Sequence, residues 1–128
     1  KMRSYIKFKT HFNYETYLDS LQFQHRKSLS RFRISAHNLP IERGRYTRPK
    51  TPEEDRTCPN CPSEIGNEIH FLTDCKTYKA HRDATFSVIT AFCPNFPNLQ
   101  SDDQLIYLMN SEGEILKEIA KFIHAHLP

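Results

Sequence analysis

Three cysteines and a histidine fall within one short stretch of this chain: Cys58-Pro59-Asn60-Cys61, then His70 and Cys75, a C-x2-C-x8-H-x4-C array. Thiolate and imidazole are the side chains that hold a borderline-soft ion such as Zn²⁺ at tetrahedral angles. Two cysteines two residues apart sit on a turn tight enough for both sulfurs to reach one ion, and His70 and Cys75 close the site from a second stretch of backbone. Four ligands leave no position for water, so the expected site, holding one Zn²⁺, is structural rather than catalytic. His81 is an alternative fourth ligand, but His70 lies inside the loop defined by the three cysteines and is preferred.

Other uses of the thiols fit less well. The fourth cysteine, Cys93, stands alone in a Pro-rich segment, so a disulfide framework leaves odd pairings around the other three. A redox C-x-x-C needs a strand before it and a helix directly after it, whereas Pro52, Pro59 and Pro62 crowd this region. Three thiolates and one imidazole around Zn²⁺ carry a formal charge of about −1, which Arg56, Lys76 and Lys79 are close enough in sequence to offset. Glu68 is read as a solvated surface acid in preference to an acceptor for the second ring nitrogen of His70.

The elements that must position these residues read as mainly α, a small helical domain with an embedded CCHC zinc knuckle. One domain covers 1–128, with a basic helical half (1–50), the knuckle (51–76) and C-terminal helices (77–128). Residues 2–9 predict a short helix, and Asn13 is a plausible N-cap for a second carrying Tyr14, Tyr17, Leu18 and Leu21. Leu29, Phe32, Arg33 and Ala36 repeat at helical spacing within a predicted helix over 24–37, stopped by Pro40. Arg33, on the apolar stripe, is expected to be buried against Glu42. Residues 40–62 contain five prolines and read as a loop, with a small hairpin at Cys58–Cys61. A helical turn over Glu68–Asp74 should present His70, with Ile65, Ile69, Phe71 and Leu72 pinning the knuckle to the core. A helix follows over 76–92, ended by Cys93-Pro94. Two capping boxes, Ser101/Gln104 and Ser111/Glu114, predict helices over Asp102–Met109 and Glu112–His126. The last of these has a broad apolar face of Ile115, Leu116, Ile119, Phe122, Ile123 and Leu127.

The formal net charge of +3 conceals an asymmetry. Residues 1–50 carry twelve Lys/Arg against three acids, a balance of +9, and residues 51–128 carry six against twelve, a balance of −6. Arg26, Lys27 and Arg31 lie on the predicted 24–37 helix. Arg43, Arg45, Arg48 and Lys50 lie on the following loop with Tyr46 among them. Arginine binds phosphate bidentately and tyrosine can stack on an unpaired base, so this side is the candidate nucleic-acid-binding surface for RNA or DNA. His25 and His37 are read as surface or packing histidines. No apolar run approaches the ~20 residues of a membrane span, and no small-molecule site is expected. A hydrophobic content of 38% is low for this length, so metal binding should supply part of the stability. Catalysis by this chain alone is not expected: it has no Gly-rich phosphate loop, no G-x-S-x-G and no paired-carboxylate motif, and Asp102-Asp103 read as first-turn acids favoured by a helix dipole.

The blocks His25-Arg26-Lys27-Ser28-Leu29-Ser30-Arg31-Phe32-Arg33-Ile34-Ser35-Ala36-His37 and Ile41-Glu42-Arg43-Gly44-Arg45-Tyr46 flank the C-x2-C-x8-H-x4-C array. Glu68-Ile69-His70-Phe71-Leu72, Tyr107-Leu108-Met109 and Lys121-Phe122-Ile123 complete the pattern. Over roughly residues 3–125 this resembles the region downstream of reverse transcriptase in invertebrate non-LTR (LINE-type) retrotransposon polyproteins, which carries a CCHC knuckle with similar spacing. The resemblance implies an intracellular (nuclear or cytoplasmic) module that binds template RNA or target DNA and works with the rest of its parent polypeptide. It places the ligands at Cys58, Cys61, His70 and Cys75. The polymerase and endonuclease residues of such polyproteins have no counterpart here. A protein–protein interaction module, or a non-catalytic DNA-binding piece of a transposase or nuclease, is the alternative.

Overall fold

A single amphipathic helix near the C-terminus organises the molecule. The computed structural model describes residues 2–128. In it α7 (Gly113–His126) buries Leu116, Ile119, Ala120, Phe122 and Ile123 along one face. That face packs between α3 (Phe23–Arg33), which contributes Leu29 and Phe32, and α5 (Lys79–Phe92), which contributes Ile89. Each such side chain contributes about 1.5–3 kcal/mol when taken out of water, so this three-helix contact is the main source of cohesion. α6 (Ser101–Met109) adds Leu105, Leu108 and Met109, and Phe96, from the 3₁₀ turn Phe96–Asn98, fills the space beside them. The mainly α expectation holds; the only sheet among the described residues is a two-stranded hairpin.

The two N-terminal helices are shorter than their sequence patterns suggest: α1 covers Tyr5–Phe8 and α2 covers Tyr17–Ser20. Four-residue helices cannot hold themselves together. A buried arginine anchors them. Arg33 of α3 donates to the Met109 carbonyl at 2.6 Å and to both Glu15 oxygens at 3.1 and 3.2 Å. Its guanidinium lies over the rings of Phe8, Tyr17 and Tyr5 at 4.6, 5.0 and 5.9 Å, so one cation joins α1, α2, α3 and α6. Arg33 is buried as expected, but its acid is Glu15, not Glu42, because Glu15 leads into α2 and faces the inner side of α3.

Other boundaries differ for local reasons. α3 stops at Arg33, not at residue 37, because Ser35 turns to a φ of 59°. Pro40 opens α4 (Pro40–Arg43) at its first position, where its missing N–H costs nothing, instead of merely ending a helix. Neither expected capping box forms. Ser101 donates to Asp74 at 3.3 Å, Gln104 to the Phe96 carbonyl at 3.2 Å, and Ser111 to the Leu108 carbonyl at 2.6 Å. α6 and α7 sit where they were predicted because their apolar faces place them. No helix among the described residues is long and apolar enough to cross a membrane.

The Ser35 turn brings a second set of buried charges together. Glu68 is buried, not solvated: its Oε1 accepts from Ser35 Oγ at 2.6 Å, His37 Nε2 at 3.0 Å and Arg3 Nη2 at 3.2 Å. The Leu39 N–H donates to His37 Nδ1 at 3.3 Å, which assigns the ring proton to Nε2, facing the carboxylate. Arg3 also pairs with buried Glu42, so the N-terminal segment, the end of α3, α4 and the start of the knuckle helix share one network. Burial alone would raise the pKa of Glu68; the hydrogen bonds from His37 and Ser35, with the Arg3 charge, outweigh it and hold the carboxyl at about 2.

Because the folded value lies below the ordinary carboxylate value, this contribution is complete above about pH 4.5 and is lost as pH falls toward 2. Glu68→Ala should cost roughly 2–4 kcal/mol in denaturant unfolding, since it strands two buried donors, Ser35 and His37, while Arg3 keeps Glu42. Glu68→Gln should cost less and should flatten the loss of stability between pH 4.5 and 2. An Ala variant as stable as the parent would show that the network contributes nothing.

Candidate metal centre

The candidate ligands come from two structural sources. β1 (Thr57–Cys58) and β2 (Cys61–Ile65) form an antiparallel hairpin in which Cys58 and Cys61 are paired across the turn. Pro59 and Asn60 occupy the turn, and the Asn60 and Cys61 backbone groups hydrogen-bond toward the Cys58 sulfur. His70 and Cys75 flank a π-helical turn, His70–Asp74. Five residues separate them, one more than an α-helical neighbour, and the wider turn absorbs the extra residue while the Cys75 N–H still reaches the His70 carbonyl at 2.7 Å. The Asn67 side chain starts this turn by accepting from the His70 N–H at 2.9 Å.

The result is a buried cluster. One ligand atom from each of Cys58, Cys61, His70 and Cys75 lies within 4.8 Å of all the others. The cysteines are unbridged, and Cys58 Sγ and Cys75 Sγ are 3.7 Å apart, far from the ~2.05 Å of a disulfide. Both ring nitrogens of His70 are buried without a hydrogen-bond partner. A neutral imidazole carries one donor and one acceptor, and leaving both unmet costs on the order of 1–3 kcal/mol each. A cation among the sulfurs would satisfy one of them. Burial tends to raise the Cys75 pKa, but the N–H and hydroxyl of Thr77 and the neighbouring thiols outweigh it and lower it. Burial pushes Cys58 up, with Cys75 beside it adding to the rise. These features fit a metal ion held by three sulfurs and one nitrogen.

His81 stays out of the cluster: it is exposed and stacks on His126, with ring centroids 4.6 Å apart. Cys93 is also outside it. Nor does Glu68 take the alternative role of partner for the His70 ring, because its Oε1 is taken up by Ser35, His37 and Arg3.

The expected cationic neighbours are elsewhere too. Lys76 and Lys79 are exposed, and Arg56 is buried but structural, donating to the Ile41 carbonyl at 3.0 Å and the Thr51 carbonyl at 2.9 Å. The cation beside the cluster is Arg82, which its helical spacing with Tyr78 and Ile89 makes look like one more position on a packing face. It is 4% exposed and donates to the carbonyls of Leu72, Phe71 and Cys75 at 3.0, 3.2 and 2.7 Å. Among the described residues no carboxylate forms an ion pair with it. A buried charge without a counter-ion is strongly disfavoured. The Cys75 sulfur is the largest electrostatic influence favouring its charged form, against burial, which lowers its pKa. Arg82 thus offsets the negative charge of the thiolates from behind.

α4 is fastened directly to this centre. The Gly66 N–H donates to the Arg56 carbonyl at 3.0 Å, and the Gly66 carbonyl accepts from the Ile41 N–H at 3.1 Å. A Cβ at Gly66 would lie 2.5 Å from Pro40 Cγ. Only a bare backbone allows this approach, and it places the Arg43–Lys50 loop beside the hairpin.

The eight basic-side candidates divide into two groups. Arg26 donates to the Leu18 carbonyl and lies over Phe23, Arg31 donates to the Ala36 carbonyl at 3.0 Å, and Arg45 pairs with Glu42 at 3.3 Å. These three serve the fold in part. Lys27, Arg43, Tyr46, Arg48 and Lys50 are exposed; Arg43 ends α4, and Tyr46, Arg48 and Lys50 come from the loop that follows it. Searches of family models, curated proteins and solved structures return no match to the chain.

Two substitutions test this arrangement. Arg82→Met removes the cation while keeping the packing volume, and should weaken metal retention against a competing chelator by about 10–100-fold. Unchanged retention would show that Arg82 serves the carbonyls alone. Gly66→Ala should cost roughly 1–3 kcal/mol in unfolding by displacing Pro40; a neutral result would mean that α4 is not held against the hairpin.

Proposed function

We propose that Cys58, Cys61, His70 and Cys75 hold one structural Zn²⁺, and that the chain is a zinc-stabilised nucleic-acid-binding module of the retroelement type its sequence resembles. The observation that carries the metal identity is the donor set: three thiols converging on an otherwise unpartnered buried imidazole. The 3.7 Å between Cys58 Sγ and Cys75 Sγ is close to the ~3.8 Å edge of a tetrahedron with Zn–S bonds of ~2.3 Å. Four protein ligands leave no open position for a substrate. The thiolates suit a reducing, intracellular compartment.

The nucleic-acid reading is supported by the end of α4 and the loop that follows it. Arg43, Arg48 and Lys50 are exposed, carry one sign and have no ion-pair partner among the described residues. Phosphates on RNA or DNA are the natural counter-charge for such a surface. A second reading, docking onto another part of a parent polypeptide, draws support from the outer face of α5. There Ala84, Ser87, Val88, Ala91 and Phe92 are all exposed and uncharged.

Purified under reducing conditions, the protein should contain one zinc per chain by elemental analysis and should lose its fold when the metal is chelated. Binding to single-stranded RNA, single-stranded DNA and duplex, titrated at several salt concentrations, should weaken steeply with salt. The triple variant Arg43→Ala, Arg48→Ala, Lys50→Ala should reduce the log–log salt slope by about 2–3. Absence of salt-dependent binding, with zinc present, would leave the docking reading in its place.

A further inference from the structure

A cavity lies against the candidate metal centre, between α4, the hairpin turn and the start of α5. Its volume is about 570 Å³, well beyond what an ion needs and within the ~300–1,000 Å³ typical of small-ligand sites. Three of the candidate ligands, Cys58, His70 and Cys75, form one wall. Leu39, Pro40, Phe71 and Tyr78 supply apolar and aromatic surface, and Pro59 borders it from the hairpin turn. Tyr78 is held edge-on against Phe71, with centroids 5.2 Å apart, so its orientation is set by the core.

The charge and polarity of this lining are selective. The chain has fifteen acidic residues, yet none lines the cavity, and Arg43 is its only Lys or Arg. Three carboxamides border it: Asn38, Asn60 and Asn67. Asn67 is committed to the His70 N–H, whereas Asn38 and Asn60 are exposed. An apolar and aromatic slot bordered by amides, each offering a donor and an acceptor, suits a flat ring with a hydrogen-bonding edge. A cation beside the slot, continued by Arg48 and Lys50 along the same loop, suits phosphates on either side of that ring.

Resting on the nucleic-acid reading above, we infer that this cavity takes a single unpaired nucleobase of an RNA or DNA strand, with Asn38 and Asn60 meeting its edge and Arg43 its phosphate. The slot makes the module selective for unpaired over duplex nucleic acid, because a base stacked in a helix cannot enter it. Zinc gives the slot one of its walls, so metal loss abolishes base capture.

The test compares two short single-stranded probes with the zinc-loaded protein, identical except that one lacks a central base. Ribose and deoxyribose versions of both report which backbone is preferred. The intact probe should bind roughly 5–100-fold more tightly than the abasic one, as expected for one captured base. The double variant Asn38→Ala, Asn60→Ala should narrow that gap while keeping its zinc content and salt slope. Equal affinity for intact and abasic probes, with salt-dependent binding retained, would overturn the base slot and leave the nucleic-acid reading standing. No binding to either probe, at any salt concentration and with zinc present, would overturn both. The comparison on the unaltered protein decides the matter even if the double variant fails to fold.

Discussion

Three thiols and an imidazole packed out of water cannot satisfy one another. A shared proton can link Cys58 to Cys75, but the His70 ring has no partner on either side. A cation in their midst would resolve the conflict, and the surrounding architecture fits one. The π-helical turn delivers His70 and Cys75 at the same depth, the hairpin delivers Cys58 and Cys61, and Arg82 sits behind Cys75, whose sulfur favours its charge more than Asp74 and Asp83 do. Zinc as that cation is our proposal; the donor set itself is one that could hold a metal ion.

Buried charge shapes the rest of the molecule in a similar way. Arg33 with Glu15, and Glu68 with Ser35, His37 and Arg3, each join segments that are too short or too irregular to pack by apolar contact alone. The α3–α5–α7 core is conventional and would cohere without them. The N-terminal half would not, since α1 and α2 together bury only Phe8 and Tyr17. In a chain with modest apolar content, ion pairs and the metal centre specify the positions of segments that hydrophobic burial leaves undetermined.

The same logic places the exposed basic residues. Arg43 ends α4 and Arg48 and Lys50 lie on the loop that follows, whose root Gly66 and Arg56 tie to the knuckle. The arginines most deeply enclosed by helices became structural, while those on the tethered loop stayed outward. Fold and surface charge are thereby linked through one close approach of Pro40 to a glycine.

Much of this was readable in the chain itself. The ligand set is carried by spacing, because C-x2-C and H-x4-C are local patterns whose geometry the backbone dictates. α5 and α7 are carried by apolar periodicity, which reports burial without reference to any partner, while α6 is read from a capping box that does not form. The pairing of charges was not readable. Arg33 meets Glu15 rather than Glu42, Glu68 is buried rather than solvated, and Arg82, not Arg56, Lys76 or Lys79, faces the cluster. Sequence proximity does not reveal which opposite charge a buried side chain reaches, since that depends on how helices far apart in the chain pack. The cavity beside the knuckle belongs to the same category: its walls come from residues 38 to 128, and only the tertiary structure brings them together.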